Sequence, residues 1–188
     1  MKKVIIFMNL LLALILAGCG SSGGDNTVTP DESLVLSPWT RLLGLSVSNT
    51  FGCALAVDGE SNIFMTGYTT GNYDPDVTTI GNELVYLVKY DKDGVKQWVE
   101  QPNGITGINA RGNGVAADPD GNIYIVGTTN DRLYDASKIG LNDFFVIKYD
   151  NDGNTLWARQ AGVADKNTYG NAIAVDADGN SYVTGYTN

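Results

Sequence analysis

The 188-residue sequence predicts an all-β fold made of a repeated four-stranded unit, and three observations carry that prediction. Composition is the first: 23 glycines beside 5 prolines, with many Val, Ile, Thr and Tyr residues, suit short strands joined by tight turns. The second is a period, since Trp39, Trp98 and Trp157 stand 59 residues apart, and Trp98-Val99-Glu100-Gln101 parallels Trp157-Ala158-Arg159-Gln160. The third is a pair of apolar runs that recurs in step with the tryptophans and is apolar on both faces, as only a sheet covered on two sides would be. A hydrophobic content of 43% supplies a core for one domain.

Residues 1–18 read as an export leader. Lys2 and Lys3 precede an apolar run from Val4 to Leu16, broken at Asn9 and shorter than the roughly 20 residues of a bilayer-crossing helix. Leu16-Ala17-Gly18-Cys19 resembles the lipobox of bacterial lipoproteins. The resemblance implies cleavage before Cys19 and acylation of its sulfur, palmitate included. Gly20, in place of Asp, favours the outer membrane over the inner one by likeness to Gram-negative sorting signals. Residues 19–38, opening Gly20-Ser21-Ser22-Gly23-Gly24, form a flexible tether that ends before the repeat region, 39–188. Cys53 is the other cysteine, and with Cys19 acylated it has no partner for an intrachain disulfide.

Within 39–188 the first strand of each unit is Gly52-Cys53-Ala54-Leu55-Ala56-Val57-Asp58, Gly112-Asn113-Gly114-Val115-Ala116-Ala117-Asp118 and Gly170-Asn171-Ala172-Ile173-Ala174-Val175-Asp176. The second runs from Asn62 to Gly67, Asn122 to Gly127 and Asn180 to Gly185. The third, Leu87-Val88-Lys89-Tyr90-Asp91 and Val146-Ile147-Lys148-Tyr149-Asp150, occurs twice, and the Trp strand is the fourth. Repeats therefore span about 52–111, 112–169 and a truncated 170–188. Four-stranded units at this period, each buried against its neighbours, are blades of a β-propeller, here an incomplete arc of about two and a half blades. With one strand before two full units and two strands after, the chain is expected to be the N-terminal part of a longer propeller. Seven blades at this period would take about 413 residues.

Asp91-Lys92-Asp93-Gly94, Asp118-Pro119-Asp120-Gly121-Asn122, Asp150-Asn151-Asp152-Gly153-Asn154 and Asp176-Ala177-Asp178-Gly179-Asn180 join consecutive strands as hairpin turns. The same Asp, Asp and Asn positions resemble part of a calcium loop, so Asp118, Asp120, Asn122, Asp150, Asp152, Asp176, Asp178 and Asn180 are weak calcium candidates. They lack a third acidic position and a downstream Glu, and Asp58-Gly59-Glu60-Ser61-Asn62 departs further.

These residues resemble the SBBP-type β-propeller repeat of exported bacterial proteins: Ala-x-Asp, Asp-Gly-Asn-x-Tyr-x-x-Gly, Asp-x-Phe-x-x-Lys-Tyr-Asp and Gly-x-x-x-Trp. Asn142-Asp143-Phe144-Phe145-Val146-Ile147-Lys148-Tyr149-Asp150 fits the third element, whereas Leu84 replaces Asp143 in the first unit. The resemblance implies a propeller, usually of seven blades, with no common activity and no catalytic residues. Tyr149 to Trp157 is also similar to the Asp-x-x-x-Gly-x-x-x-Trp pattern of quinoprotein propellers, in which the Trp docks one blade on the next. Trp39, Trp98 and Trp157, with Gly67, Gly127 and Gly185, are accordingly structural repeat positions.

Charge and residue type bound the function. Twelve basic against 21 acidic residues give a net −9, which argues against nucleic acid and anionic lipid surfaces, and cleavage would leave 10 basic residues. The absence of histidine removes Ser-His-Asp triads, Cys-His dyads and nearly every catalytic zinc site. The expectation is a lipid-anchored envelope propeller without intrinsic catalysis and without a cofactor other than weak calcium. It would bind a protein or glycan through the loops 70–82 and 130–142, where Tyr73-Asp74 and Tyr134-Asp135 recur, or pack those tyrosines as loop filling. The alternative is an enzyme of quinoprotein or polysaccharide-lyase type that requires the complete propeller.

Overall fold

A computed structural model describes residues 4–7, 40–45, 48–73, 83–102 and 109–188. Strands form where β-branched and aromatic runs lie between Asp-Gly turns, and the repeat sets their order. Four antiparallel strands, β3 (Thr50–Val57), β4 (Ile63–Thr69), β5 (Leu84–Tyr90) and β6 (Lys96–Glu100), make the first full blade, hydrogen-bonded in sequence order. β7 (Ala110–Ala117), β8 (Ile123–Thr129), β9 (Asp143–Tyr149) and β10 (Thr155–Ala161) make the second, and β11 (Thr168–Val175) with β12 (Ser181–Thr187) begins a third. Thus residues 39–188 hold eleven described strands, in the arrangement the repeat predicts.

Ahead of these, β1 (Val4–Phe7) pairs with β2 (Thr40–Leu43), Ile6 opposite Arg41. β1 lies inside the expected leader, and its Val-Ile-Ile-Phe sequence is strand-forming. It flanks β2 in the register that third strands take beside fourth strands: Arg41 faces Ile6 as Glu100 faces Leu87 and Arg159 faces Val146.

β4 and β5 are apolar on both faces because both faces are covered. On one side Ile63, Met65, Tyr86, Val88 and Tyr90 pack with Leu43 of β2. On the other, Phe64, Val85 and Leu87 meet Ile123, Ile125, Phe145 and Ile147 of the second blade in one continuous core. Each such side chain, fully buried, contributes roughly 1.5–3 kcal/mol. The strand pattern of β4 recurs in β12, yet Tyr182 is 59% exposed where Phe64 is 0% and Tyr124 1%, since no described sheet packs beyond β12.

The first strands of the units, β3, β7 and β11, are the inner ones, and they add further contacts between blades. The start of β7 runs parallel to that of β5, with the Ala110 N–H donating to the Glu83 carbonyl at 2.8 Å. The start of β11 repeats this against β9, Thr168 to Asn142 at 2.9 Å. Each inner strand also bulges at the same place, leaving Cys53, Asn113 and Asn171 as the extra residue. Opposite each bulge is Gly67, Gly127 or Gly185, where a Cβ would overlap the carbonyl oxygen of Phe51, Arg111 or Tyr169. That close approach is why the second strand carries Gly at this point in every unit.

Candidate binding face at the loop end

Antiparallel alternation puts the five Asp turns at one end of the blades. The β4–β5 and β8–β9 loops, with the crossovers between blades, lie at the other.

At the turn end, the first aspartate of every turn serves its own backbone. Asp150 Oδ1 accepts the N–H groups of Asp152 at 3.0 Å and Asn154 at 2.8 Å, and Oδ2 accepts Asn154 Nδ2 at 2.9 Å. Asp176 repeats the set with Asp178 and Asn180, and its Oδ2 also accepts Tyr182 Oη at 2.9 Å. The glycines at 94, 121, 153 and 179 have φ between 74° and 91°, the conformation these turns require. Asp118 is buried, and its oxygens accept from Asn122, Tyr124 Oη (3.0 Å) and Lys148 Nζ (3.5 Å). Burial works to raise its pKa, but the hydrogen bonds from Asn122 and Tyr124 and the Lys148 charge outweigh it and hold the carboxyl below the ordinary aspartate value. Hydrogen bonds from the Asn154 and Asn180 side chains lower Asp150 and Asp176 in the same sense. Asp120, Asp152 and Asp178 are exposed, and among the described residues no three acidic or cysteine side chains converge on a metal position.

The turns also receive the neighbouring blade. Trp98 lies against Gly153, where a Cβ would stand 3.3 Å from the indole, and its Nε1–H donates to the Asn151 carbonyl at 3.2 Å. Lys89 donates to the same carbonyl and to Asn151 Oδ1. Trp157 lies edge-on to Tyr124 of its own blade with ring centroids 6.0 Å apart, as Trp98 tilts on Phe64 at 6.1 Å. Trp39 and Cys19 fall outside the described residues.

At the loop end, the glutamine three residues after Trp98 and after Trp157 holds the loop of its blade. Gln160 Oε1 accepts the Leu133 N–H at 3.0 Å, while Nε2 donates to the Asp131 carbonyl at 3.1 Å and to Asp143 Oδ2 at 2.8 Å. Asp143, fully buried, accepts the N–H groups of Ile139 and Gly140 at 2.8 and 2.7 Å. Both ends of 130–142 are therefore fixed to the sheet. Gln101 makes the corresponding bonds to Tyr73 and Gly71, but Leu84 offers no carboxylate to its loop, which is described only to Tyr73. Tyr73 packs edge-on to Tyr86 and Tyr134 against the main core, so both repeated tyrosines fill the wedge between blades. The glutamines were visible in the repeated Trp quartet, yet their task depends on a loop whose path the sequence does not give.

Near the inner strands at this end, Phe51 and Tyr68 stack with centroids 4.7 Å apart, and the Arg111 guanidinium lies 4.6 Å over Tyr68. Arg111 Nε and Nη2 both bond the Glu83 carboxylate. Asn113, at the bulge, donates to the Gly170 carbonyl of the next blade at 2.8 Å. Cys53 holds the matching place in the first blade as a free thiol at the surface, and partial desolvation by the protein around it raises its pKa against the opposing pull of Arg111.

Comparison with known proteins matches residues 39–74, 97–135 and 156–188 to the SBBP family, described as a beta-propeller repeat. The matched stretches stop just inside each loop, at Asp74 and Asp135. A curated relative, an uncharacterized WD repeat-containing protein of Acanthamoeba polyphaga mimivirus, is 29% identical over 200 aligned residues. The alignment takes in 88% of this chain and 14% of that protein's length.

Proposed function

The chain belongs to the SBBP β-propeller repeat family, and from that premise we propose that it is a binding or scaffold module, held by a lipid on Cys19 in the cell envelope, that meets its partner with the loop end. The observation that carries the reading is the fixing of loop 130–142 at both ends by Gln160 and Asp143. A loop clamped on a rigid sheet presents its exposed side chains, Arg132, Lys138 and Leu141 among them, at little ordering cost on binding. Likeness to a WD repeat-containing protein supports a propeller module, and a sequence without histidine gives acid–base chemistry few residues to work with.

Photo-crosslinkers placed at Arg132 or Lys138, and for comparison at Asp152 on the turn end, test the face in intact cells. Discrete adducts from the loop end alone are expected; equal labelling from both ends would reject it. Mass spectrometry of the mature N-terminus tests the anchor. An unmodified chain, or one still membrane-bound after Cys19→Ala, removes it.

A further inference from the structure

We propose that Ile139, Leu141 and Val163, where loop 130–142 meets the crossover into β11, form a docking surface for a short acidic segment of a partner protein; the proposal rests on the loop-end binding reading and names the partner's chemistry. The three side chains are 47%, 57% and 49% exposed. They come from two stretches that are fixed on one another. Asp143 accepts the N–H groups of Ile139 and Gly140, the Leu141 N–H donates to the Lys166 carbonyl at 2.7 Å, and the Lys166 N–H closes its own turn on the Val163 carbonyl at 3.0 Å. Gly140 sits so close to that turn that a Cβ would stand 2.7 Å from the Val163 carbonyl oxygen. Backbone polar groups are thus satisfied inside the junction while aliphatic side chains are left outside it among polar neighbours, which is the pattern of an interaction site.

Charge and residue type select the occupant. The chain is net −9, but its Asp turns gather acidic groups at the opposite end, where Asp93, Asp120, Asp152 and Asp178 are exposed. Beside the three aliphatic residues the exposed charges are Lys138, Lys166 and Asp165, and among the described residues neither lysine forms an ion pair. Two such ammonium groups attract carboxylates and disfavour a basic partner. None of the three apolar side chains is aromatic, so the surface suits the apolar side chains of a polypeptide and gives a sugar no ring to stack on. The direction of β2 argues against a bilayer as the occupant. Arg41 of β2 reaches the Gly94 turn at one end, and Leu45, just past β2, lies against Gly71 at the other. The chain therefore enters β2 at the turn end, and this surface lies at the end far from an anchor on Cys19.

Panning a phage-displayed random dodecapeptide library on the full chain tests the surface. Recovered peptides should be enriched in Asp and Glu beside Leu, Ile or Phe, and the strongest, made synthetically, should bind Leu141→Ser about tenfold or more weakly. That substitution is exposed and keeps the backbone bond to Lys166, so the thermal midpoint should not move. Lys138→Glu with Lys166→Glu should turn the recovered pool from acidic to basic. No enrichment, a pool without acidic excess, or equal binding to wild type and Leu141→Ser overturns the proposal. So does flotation of the Cys19→Ala chain with vesicles of phosphatidylethanolamine and phosphatidylglycerol, if Leu141→Ser abolishes it, since the surface would then be a lipid contact. Arg132 crosslinks that persist in Leu141→Ser while no peptide passes these tests would sink this surface and leave the binding-module reading standing.

Discussion

Serine at position 61 does what glycine does in the other turns. The first-unit turn has its glycine at 59, two places early, so Ser61 takes φ of 65° where Gly94, Gly121, Gly153 and Gly179 take theirs. A left-handed conformation costs a non-glycine residue about 1 kcal/mol. Ser61→Gly should therefore raise unfolding stability by about 0.5–1 kcal/mol, read as a higher urea midpoint at unchanged slope. Turn aspartates give a second prediction. Asp118, Asp150 and Asp176 have folded pKa values below the ordinary 3.8, so the stability they supply is fully present above that value. It is lost as pH falls through the lower folded values, because the unfolded chain then binds protons that the native turns resist. Midpoints measured downward from pH 5 should fall below about pH 4, and Asp118→Asn, which keeps the shape of the turn, should flatten part of that fall. Since these carboxylates are already occupied by turn N–H groups, calcium and a chelator should leave the melting midpoint unchanged. A drop of many degrees with the chelator would return Asp118, Asp120, Asp176 and Asp178 to the role of ligands.

Strands were legible where residue type alone decides the backbone, and illegible where a neighbouring blade decides the side chain. The Asp-Gly turns mark the ends of β3, β5, β7, β9 and β11, and the Gly67, Gly127 and Gly185 positions expose the bulges opposite them. By contrast, Lys89 and Lys148 occupy the same motif and act differently. Tyr124 and Lys148 both contact Asp118, whereas Phe64 brings no hydroxyl to Asp58, and Lys89 reaches across to Asn151. No reading of Lys-Tyr-Asp separates the two, because the choice lies at the second-strand position and in the adjoining turn. Loops show the same division: Gln101 and Gln160 look equivalent, but Asp143 reinforces one clamp and Leu84 leaves the other without a carboxylate. Gln160→Ala should consequently release more than Gln101→Ala. It deletes three hydrogen bonds and leaves Asp143 short of a donor in a buried site, a loss of about 1–3 kcal/mol. Hydrogen exchange should report faster opening at the amides of Leu133, Ile139 and Gly140 in that variant. Unchanged protection there would show that the loop is held by its packed side chains instead.

At the scale of the molecule, stability depends on how strongly one blade commits the next, since each contacts chiefly its neighbours and the energy is close to a sum of blade and interface contributions. The shared core of Phe64, Val85 and Leu87 with Ile123, Ile125 and Phe145 is the largest coupling surface, and Trp98 extends it to the turn end. Truncating Trp98 removes packing on Gly153 and the donor to Asn151, both of which belong to the other blade. Trp157 makes the same ring contact within its own sheet, with Tyr124 where Trp98 has Phe64, and among the described residues no turn of another blade receives it. Among the described blades the two substitutions should therefore differ, since only Trp98 is seated on a neighbour. Trp157→Ala should lower stability by about 2–3 kcal/mol, less than a fully buried core tryptophan costs, and leave unfolding concerted. Trp98→Ala should cost as much or more and also weaken the commitment of the first blade to the second. Urea unfolding followed by far-ultraviolet circular dichroism and by fluorescence of the remaining tryptophans would then give non-coincident transitions with a reduced apparent slope. Lys89 still bonds Asn151 in that variant, so the first blade retains one polar tie and separation of the transitions should widen in Trp98→Ala with Lys89→Met. Coincident transitions in all three variants, with similar losses for Trp98 and Trp157, would mean that the apolar core alone couples the blades and that the tryptophans merely fill space.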